Sequence, residues 1–231
     1  MARGHTRAMD RDPGSAAPSP VGGWNDGEQV AWYLERIGRL EARVAGESML
    51  VDLLPPAPRR VLDLGCGDGR LAALVLDVRP SVEAAVAVDR SEVMLAHARE
   101  RFVDDDRVEV RAWDLDDPIG PLGRFDVVVS GFAIHHLDDE RKRALFAEIA
   151  AQLEPGGAFL NLEVVASGSE RRHADFLTAI GRTADDPEDR LVSVEDQVRW
   201  MTGAGLVDAD CLWRWRGFAL LVADARADSP R

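Results

Sequence analysis

The stretch VLDLGCGDGRL, residues 61–71, places an acidic side chain and three alternating glycines at the end of a short apolar run. The run predicts a strand, and helix-forming residues begin at Arg70, so the glycines occupy a strand-to-helix turn. Such a turn lets a ligand approach the backbone, and the helix after it offers free N–H groups. A dinucleotide-binding turn, G-x-G-x-x-G, would have a glycine at position 70. Asp63 suits an ammonium group better than a pyrophosphate, which it would repel.

Acidic side chains are also predicted at the ends of the next two strands. Asp89 ends the second strand, where a carboxylate can accept hydrogen bonds from both hydroxyls of a ribose. Asp114 ends the third, where it can accept a hydrogen bond from the amino group of an adenine while Leu115 packs against the ring. Together with the glycine turn, these residues predict a site for an adenosine-containing ligand.

Two histidines follow the fourth predicted strand, in the stretch SGFAIHHLDD at residues 130–139. This stretch lies beside the first strand, at the switch point where open α/β sheets bind ligands. His135 and His136 can act as general bases or hydrogen-bond donors near neutral pH. Asp138 and Asp139 could join His135 in a metal site, but no third, separate carboxylate is placed nearby. We therefore predict no bound metal.

Repeated strand–helix units position these residues. Apolar runs at residues 59–65, 83–89, 107–114, 124–132 and 158–165 predict buried strands, with helices at 70–78, 91–102 and 138–153. Residues 206–225 predict a C-terminal antiparallel hairpin. The prediction is a Rossmann-like, doubly wound α/β fold. Its seven-stranded sheet is mostly parallel, with an antiparallel C-terminal strand and helices on both faces.

We expect a disordered tail at residues 1–23, a helical cap at 24–56 and a main domain at 57–231, with an insert at 166–192 near the site. The formal net charge of −13 argues against nucleic acid or an anionic membrane as a partner. Cys66 and Cys211 form no paired motif, and no apolar segment is long enough to span a membrane. We therefore expect a cytoplasmic protein.

These features, in this order, resemble the class I S-adenosylmethionine-dependent methyltransferases. VLDLGCGDG resembles the first motif of that family, AVAVDRS its acidic second strand end, AWDLDD its adenine loop, and FDVVVSGFAIHHL its fourth strand. The resemblance implies S-adenosylmethionine as the cofactor. It implies these contacts: Gly65, Cys66 and Gly67 at the methionine part, Asp63 at its ammonium, Asp89 at the ribose, Arg90 over the adenine, Asp114 and Leu115 at the adenine edge, and the Ser130 backbone beside the methionine.

The HHL tripeptide after the fourth strand is similar to that of small-molecule methyltransferases. In the phosphoethanolamine methyltransferases, the histidine before this leucine takes part in catalysis with a tyrosine from an N-terminal helix. By this likeness His136 is the candidate base for methyl transfer to an oxygen or nitrogen of a small molecule, and Tyr33 or His135 would orient that acceptor. The family members that methylate amino groups of nucleic acids carry an Asn/Asp-Pro-Pro-aromatic motif, which SGFA at residues 130–133 does not match.

Three alternatives stay open. Residues 130–157 are also similar to the enzyme that forms carboxy-S-adenosylmethionine, although no arginine is assignable to the additional carboxylate. A nicotinamide-dependent oxidoreductase would share the sheet, but Arg70 and the lack of recognisable hydride-transfer residues weigh against it. The third alternative is a non-catalytic binding protein that keeps the methyltransferase fold.

Overall fold

The computed structural model describes residues 23–36, 40–120 and 122–227, so residues 1–22 of the expected tail lie outside the described residues. The predicted apolar runs form one sheet. Its strands are β1 (Arg60–Leu64), β2 (Ala84–Asp89), β3 (Val108–Ala112), β4 (Phe125–Gly131), β5 (Leu153–Val164), β6 (Val207–Trp215) and β7 (Phe218–Asp224). The spatial order is β3-β2-β1-β4-β5-β7-β6.

The strand directions confirm the predicted fold class. The first five strands are parallel, and β7 runs antiparallel to both β5 and β6. β1 pairs with β2 on one side and with β4 on the other, so the strand order reverses beside β1. In open α/β sheets, ligands bind in the crevice outside the carboxyl ends of the strands at such a reversal.

Helices connect the strands in the described part of the chain. They are α1 (Gly27–Arg36), α2 (Glu41–Leu53), α3 (Arg70–Val78), α4 (Glu92–Arg101), α5 (Asp139–Gln152), α6 (Glu170–Ala179) and α7 (Val194–Gly203), with 3₁₀ turns at Gly23–Asn25 and Ile134–His136. Four N-caps, Ser91, Asp138, Ser169 and Ser193, each accept a hydrogen bond from the backbone N–H three residues later. No helix among them has the length and apolar character needed to cross a membrane.

Apolar side chains on both faces of the sheet are covered by helices, as predicted. Leu62 of β1 belongs to a cluster with Phe146 of α5 and Met201 of α7, whereas Val61 belongs to a cluster with Leu50 of α2. Complete burial of a leucine side chain contributes about 1.5–3 kcal/mol. Leu50 is completely buried, so α2 packs firmly against the face of the sheet.

The segment expected as an N-terminal cap, residues 24–56, divides between two neighbourhoods. α2 packs against α3, β5, β6 and β7. α1 and the turn Gly23–Asn25 pack against α4 instead. There the Ser91 hydroxyl donates to the carbonyl of Trp24, and the Glu92 N–H donates to Asn25 Oδ1 at 3.2 Å. These bonds place α1 and its preceding turn beside the end of β2.

β5 begins earlier than the sequence predicts. Residues 154–157, EPGG, predict a turn that separates a helix from the next strand. In the structure β5 starts at Leu153, directly after α5, and Leu153 pairs with Phe125 of β4. The register then shifts before Val127, and Gly156 adopts a φ of +77° within the irregular stretch. The glycine therefore supplies a bulge inside the strand, because only a residue without Cβ takes that backbone conformation freely.

Candidate active site

A cleft opens where the carboxyl ends of β1, β2 and β4 meet the N-terminal segment. Its lining combines residues from the ends of these strands, the loop after β3 and the N-terminal segment, which is where open α/β sheets bind ligands. Of the predicted site residues, Asp63, Ser130 and His135 lie outside its lining. The lining residues are Trp24, Tyr33, Arg43, Gly65, Cys66, Gly67, Asp68, Asp89, Arg90, Met94, Asp114, Leu115, Asp116, Gly131, Phe132, Ala133, His136 and Leu137.

The glycine turn after β1 forms the floor of the cleft. Gly65 has a φ of +66°, and a Cβ there would lie 2.1 Å from the Cβ of Ala133. Gly65 therefore allows the loop after β4 to approach the turn. Gly67 has a φ of +55°, but a Cβ there would meet only the sulfur of Met94, at 3.8 Å. The space beside Gly67 is open to a ligand.

Asp63 of β1 lies beneath this turn and is 1% exposed. Its Oδ2 accepts a hydrogen bond from the N–H of Ala72 at 3.0 Å, which satisfies one free donor of α3. Its Oδ1 is buried and has no hydrogen-bond partner among the described residues. Burial, helped by the charge of Asp89, raises the pKa of Asp63 to about 7. A cation in the small adjoining cavity, which Asp63 lines together with Gly65, would favour the ionised form.

Asp89, at the end of β2, holds the turn and faces the cleft. Its Oδ2 accepts the Gly67 N–H at 2.9 Å, and its Oδ1 accepts the Ser91 N–H at 2.8 Å. A carboxylate can accept about four hydrogen bonds, so lone pairs remain for ligand hydroxyls. Burial raises the pKa of Asp89 above its ordinary value. Burial also raises the pKa of the neighbouring Cys66 thiol well above its usual range, so this thiol is neutral.

The loop after β3 forms the next wall of the cleft. Asp114 Oδ1 accepts the N–H of Asp116 at 3.0 Å. Arg141 of α5 donates to the carbonyl of Leu115 at 2.6 Å and to the carbonyl of Asp117 at 2.9 Å. Leu115 is buried and gives this wall an apolar surface. Arg141, which the sequence analysis does not single out, therefore fixes the loop that carries the predicted adenine contacts.

Arg90 lies at the rim of the cleft and links it to the predicted insert. Its Nη2 is 2.5 Å from Oε2 of Glu188, and both side chains are about 40% exposed. An exposed ion pair contributes about 0–1 kcal/mol to stability. The pair nevertheless shows that residues 166–192 reach the end of the sheet where the cleft opens.

The end of β4 is bound to β1 before it enters the cleft. Ser130 is buried, and its hydroxyl donates to the carbonyl of Leu64 at 2.8 Å. The next two residues, Gly131 and Phe132, line the cleft. Phe132 has a φ of +57°, which is uncommon for a bulky residue. Its N–H donates to the carbonyl of Leu162 at 2.8 Å, which holds the backbone in this conformation.

Two aromatic residues of the N-terminal segment form the opposite wall. The rings of Trp24 and Tyr33 meet edge to face, with centroids 5.0 Å apart. Arg43 of α2 donates from Nη1 to the Tyr33 hydroxyl at 2.8 Å. The same guanidinium lies 5.1 Å from the centroid of the Phe132 ring. Tyr33 is therefore held in the cleft lining by a charged donor.

Arg43 and Arg70 share one buried carboxylate. Glu47 accepts a hydrogen bond from Arg43 Nε at 2.8 Å and from Arg70 Nη2 at 2.6 Å. Burial alone would raise the pKa of Glu47, but the hydrogen bonds from both arginines lower it. Two cations and one anion leave net positive charge at this end of the cleft. Arg70, the residue that departs from the dinucleotide pattern, thus joins α3 to α2.

The two histidines occupy different positions. His136 lines the cleft, and its ring centroid is 5.8 Å from that of Trp24. Its Nδ1 is buried and has no hydrogen-bond partner in the described part of the chain. His135 lies behind it, buried, with Nδ1 2.5 Å from Oε1 of Glu163 and Nε2 3.4 Å from Oδ1 of Asp189. Of the two, His136 is the one placed to meet a substrate.

Similarity to known proteins identifies the family of the chain. A family model described as "Methyltransferase domain" matches residues 61–157. A probable S-adenosylmethionine-dependent methyltransferase from Mycolicibacterium smegmatis is 32% identical over 181 residues, which cover 75% of this chain and 67% of that protein. The chain belongs to the class I S-adenosylmethionine-dependent methyltransferases. S-adenosylmethionine is therefore its cofactor, as predicted, and the nicotinamide-dependent alternative is set aside.

Other proteins similar to this methyltransferase have names that specify different methyl acceptors. A trans-aconitate 2-methyltransferase from Rhodococcus jostii is 37% identical over 57% of this chain and 43% of its own length. A ribosomal RNA small subunit methyltransferase C from Chromohalobacter salexigens is 34% identical over 61% of this chain and 44% of its own length. The chain thus spans less than half of these two proteins. The structure of an O-methyltransferase family protein from Burkholderia thailandensis shares the fold, with a TM-score of 0.68 and 21% identity over 88% of this chain and 60% of that chain.

The residues of this methyltransferase fit its cofactor. The open space at Gly67 admits a ligand against the backbone, and the free Oδ1 of Asp63 suits an ammonium group. Asp89 retains acceptors for ribose hydroxyls. Among the residues not predicted from the sequence are Trp24, Phe132 and Arg43 in the cleft lining, and Asp189 beside the histidines. An aromatic residue at the start of the helical segment was a signal for Trp24, but Asp189 lies in a polar run without any signal of its own.

Proposed function

We propose that this methyltransferase transfers the methyl group of S-adenosylmethionine to an oxygen or nitrogen atom of a small molecule. The observation that carries the proposal is the cover on the cleft, where Trp24 and Tyr33 lie across from the glycine turn. A cleft with walls on both sides, lined by aromatic and apolar side chains as well as polar ones, suits a small acceptor better than a polymer. The net charge of −13 also disfavours RNA. The likeness to a trans-aconitate methyltransferase supports a small acceptor.

Bound S-adenosylmethionine supplies a methyl group that is already activated on a sulfonium. The chain therefore contributes mainly by positioning the acceptor for in-line displacement and by excluding water. Trp24 and Phe132 supply apolar walls for this purpose. Tyr33 can orient an acceptor, because Arg43 fixes its hydroxyl at 2.8 Å.

An alcohol or ammonium acceptor must also lose a proton, and we assign this step to His136. It lines the cleft, whereas His135 lies behind it and would act by orienting its neighbour. Burial, together with the charge of protonated His135, lowers the pKa of His136. Its imidazole is therefore neutral but is also a weaker base, so it would take the proton as methyl transfer makes the acceptor oxygen or nitrogen more acidic. A positioned base contributes about 10²–10⁴-fold to rate.

Ligand binding followed by a transfer assay tests the overall function. Calorimetric titration compares S-adenosylmethionine, S-adenosylhomocysteine and NADH; we expect both sulfur ligands to bind and NADH not to bind. Isotope-labelled S-adenosylmethionine is then offered with hydroxy acids, carboxylic acids, amines and ribosomal RNA. Label in RNA alone would overturn the small-molecule acceptor. Binding without transfer to any acceptor would favour a non-catalytic protein, and a carboxylated sulfonium product would favour the carboxy-S-adenosylmethionine alternative.

Substitution of the proposed base tests its role separately. His136→Ala should lower the turnover rate about 10²–10⁴-fold while the dissociation constant for S-adenosylhomocysteine stays nearly the same. His97→Ala is the matched control, because His97 is exposed on α4 and outside the cleft lining. An unchanged turnover rate in His136→Ala would remove the base assignment but leave methyl transfer itself intact.

A further inference from the structure

Behind the histidine end of the cleft, three side chains bring two nitrogens and one oxygen together. His135 Nε2 lies 3.4 Å from Asp189 Oδ1, and His136 Nδ1 lies 3.6 Å from the same oxygen. One ligand atom from each of the three side chains lies within 4.8 Å of the other two. The side chains are 7%, 14% and 9% exposed for His135, His136 and Asp189. The cluster is therefore shielded from bulk water.

The distances match metal coordination better than hydrogen bonding. A protein N–H···O bond has a most frequent length of about 2.9–3.0 Å, so 3.4 and 3.6 Å are long. The buried His136 Nδ1 has no hydrogen-bond partner within the described ranges. Around a tetrahedral ion with bonds of about 2.0–2.1 Å, neighbouring ligand atoms lie about 3.3–3.4 Å apart. The two nitrogen–oxygen distances are close to this spacing, and the two ligand nitrogens, which lie within 4.8 Å of each other, would reach it on binding the ion.

Surrounding groups orient the ligand atoms toward one point. Glu163 Oε1 lies 2.5 Å from His135 Nδ1, which keeps a proton on Nδ1, so a metal ion would displace the proton on Nε2. A histidine that binds a metal almost always has such a carboxylate or carbonyl partner on its other nitrogen. The Asp186 N–H donates to Asp189 Oδ2 at 3.1 Å, which directs Oδ1 to the histidines. Two carboxylates also supply the charge that a divalent cation needs.

We propose that His135, His136 and Asp189 bind a divalent transition-metal ion of the Zn²⁺ class, with Glu163 orienting His135 from outside the ligand set. Two imidazoles and one carboxylate suit Zn²⁺ or Fe²⁺ better than Mg²⁺ or Ca²⁺, which prefer oxygen ligands. Three protein ligands leave one coordination position for water or for an oxygen of the acceptor.

The proposed site differs from the prediction of no bound metal that was drawn from the sequence. That expectation considered Asp138 and Asp139 and found no separate third carboxylate. In the structure Asp138 caps α5 by accepting the N–H of Arg141, and Asp189 of the insert provides the missing ligand. The metal would join the 3₁₀ turn after β4 to residues 186–190. The sequence distance between the ligands explains why their spacing gave no motif.

A bound metal would change what His136 can do. An imidazole coordinated through Nδ1 carries its proton on Nε2, so it cannot accept another. Metal binding and general-base action by His136 therefore exclude each other, so the base assignment applies to the metal-free protein and does not hold where the metal site is occupied. The metal proposal does not rest on the proposed function, because the experiment below detects the metal rather than methyl transfer.

Titration of metal-free protein with Zn²⁺, and with Mg²⁺ as a control for general cation binding, tests the site. We expect one Zn²⁺ per chain, with an affinity that falls at least about 100-fold in Asp189→Asn and about 10–100-fold in Glu163→Gln. Asp185→Asn is the matched control. Asp185 lies in the same insert but pairs with His173 at 2.8 Å, so this variant should bind Zn²⁺ as the wild type does.

An X-ray absorption spectrum of Zn²⁺ on the wild-type protein keeps the test valid if Asp189→Asn fails to fold. We expect nitrogen and oxygen ligands at about 2.0–2.1 Å and the scattering pattern of two imidazoles. Three results would overturn the site: no Zn²⁺ binding by the wild type, equal binding by Asp189→Asn, or a spectrum without imidazole. In that case the cluster would hold no metal, and the carboxylates of Glu163 and Asp189 would pair with a protonated His135.

Discussion

Asp63→Asn should change how the stability of the cofactor-free protein depends on pH. The pKa of Asp63 is raised from 3.8 to about 7, mainly because the group is buried and also because Asp89 and Asp68 are negatively charged. The folded protein thus holds this proton more tightly than the unfolded chain does. Stability from this group is fully present below the unfolded pKa and is lost as the pH rises toward 7.

The size of the effect follows from the two pKa values. They differ by about three units, and each unit corresponds to about 1.4 kcal/mol, so ionising Asp63 in the folded protein costs about 4 kcal/mol. Between pH 5 and pH 8, the protein loses about 3 kcal/mol of stability through this group, nearly all of it over the two pH units from 5 to 7. The asparagine variant has no carboxyl to titrate but keeps an oxygen that can accept the Ala72 N–H. The free energy of unfolding of the wild type should fall by about 3 kcal/mol more than that of Asp63→Asn over this range.

Urea unfolding of both proteins at pH 5 and pH 8, followed by circular dichroism, measures this difference. Comparing the two proteins cancels the titration of every other group that the substitution leaves unchanged. Equal m-values would show that the variant exposes the same surface on unfolding. If the two proteins showed the same pH dependence within about 1 kcal/mol, the pKa of Asp63 would not be raised, and the argument from burial would be refuted.

The same substitution tests whether Asp63 meets the cofactor ammonium. Pairing with the ammonium would ionise Asp63, so binding of S-adenosylmethionine at pH 6 should release up to about one proton. The matched ligand is 5′-methylthioadenosine, which keeps the adenosine and the sulfur but lacks the ammonium, and it should release none through Asp63. Calorimetry in two buffers with different heats of ionisation counts the protons. Equal release with both ligands, or unchanged release in Asp63→Asn, would contradict the ammonium contact.

Two further substitutions test the turn and the charged cluster. Gly65→Ala should lower the calorimetric affinity for the cofactor more than 10-fold. The left-handed backbone costs a residue with a Cβ about 1–2 kcal/mol, and the added Cβ would lie 2.1 Å from that of Ala133. Gly168→Ala is the control and should leave this affinity unchanged, because no atom lies within 4 Å of an added Cβ there. Glu47→Gln should lower the free energy of unfolding by about 3–5 kcal/mol, because it leaves two arginines without their carboxylate. Glu41→Gln, at an exposed position on the same helix, should cost less than about 0.5 kcal/mol in urea unfolding.

The features predicted from the sequence are those that local pattern determines. The glycine turn and Asp89 could be placed in one site because parallel strands bring their carboxyl ends to the same edge of the sheet. The switch beside β1 then added the loop after β4, with its histidines. His136 was placed in the site for this reason, and the structure brings it to the cleft lining with Tyr33. To predict that these residues share one site, only the order of the strands is needed, and the alternation of strands and helices along the sequence indicates that order.

The features that were missed depend on long-range packing. Arg43 and Glu47 are four residues apart on α2, so their contact follows from helix spacing. The contact of Arg43 with Tyr33 joins two helices, and spacing along one helix does not reveal it. Asp189 reaches the histidines because the insert folds back and the Arg190 N–H donates to the carbonyl of His135 at 2.8 Å. A polar segment without periodicity carries no information about such a path. The prediction of no bound metal was made without knowledge of this contact and stays a prediction.

The packing that holds residues 186–190 beside the cleft can be tested with two substitutions. Arg90 and Glu188 form an ion pair in which each side chain is about 40% exposed, and such pairs contribute about 0–1 kcal/mol. Lys142 is 1% exposed and donates from Nζ to the carbonyl of Arg190 and to a second backbone carbonyl. Leaving buried acceptors unsatisfied costs about 1–3 kcal/mol each, so Lys142→Met should speed amide hydrogen exchange in residues 186–190 about 5–150-fold, whereas Arg90→Gln should change it less than about 5-fold. The reverse order would mean that the ion pair with Arg90, at the end of β2, holds residues 186–190 in place and that the buried contacts of Lys142 do not.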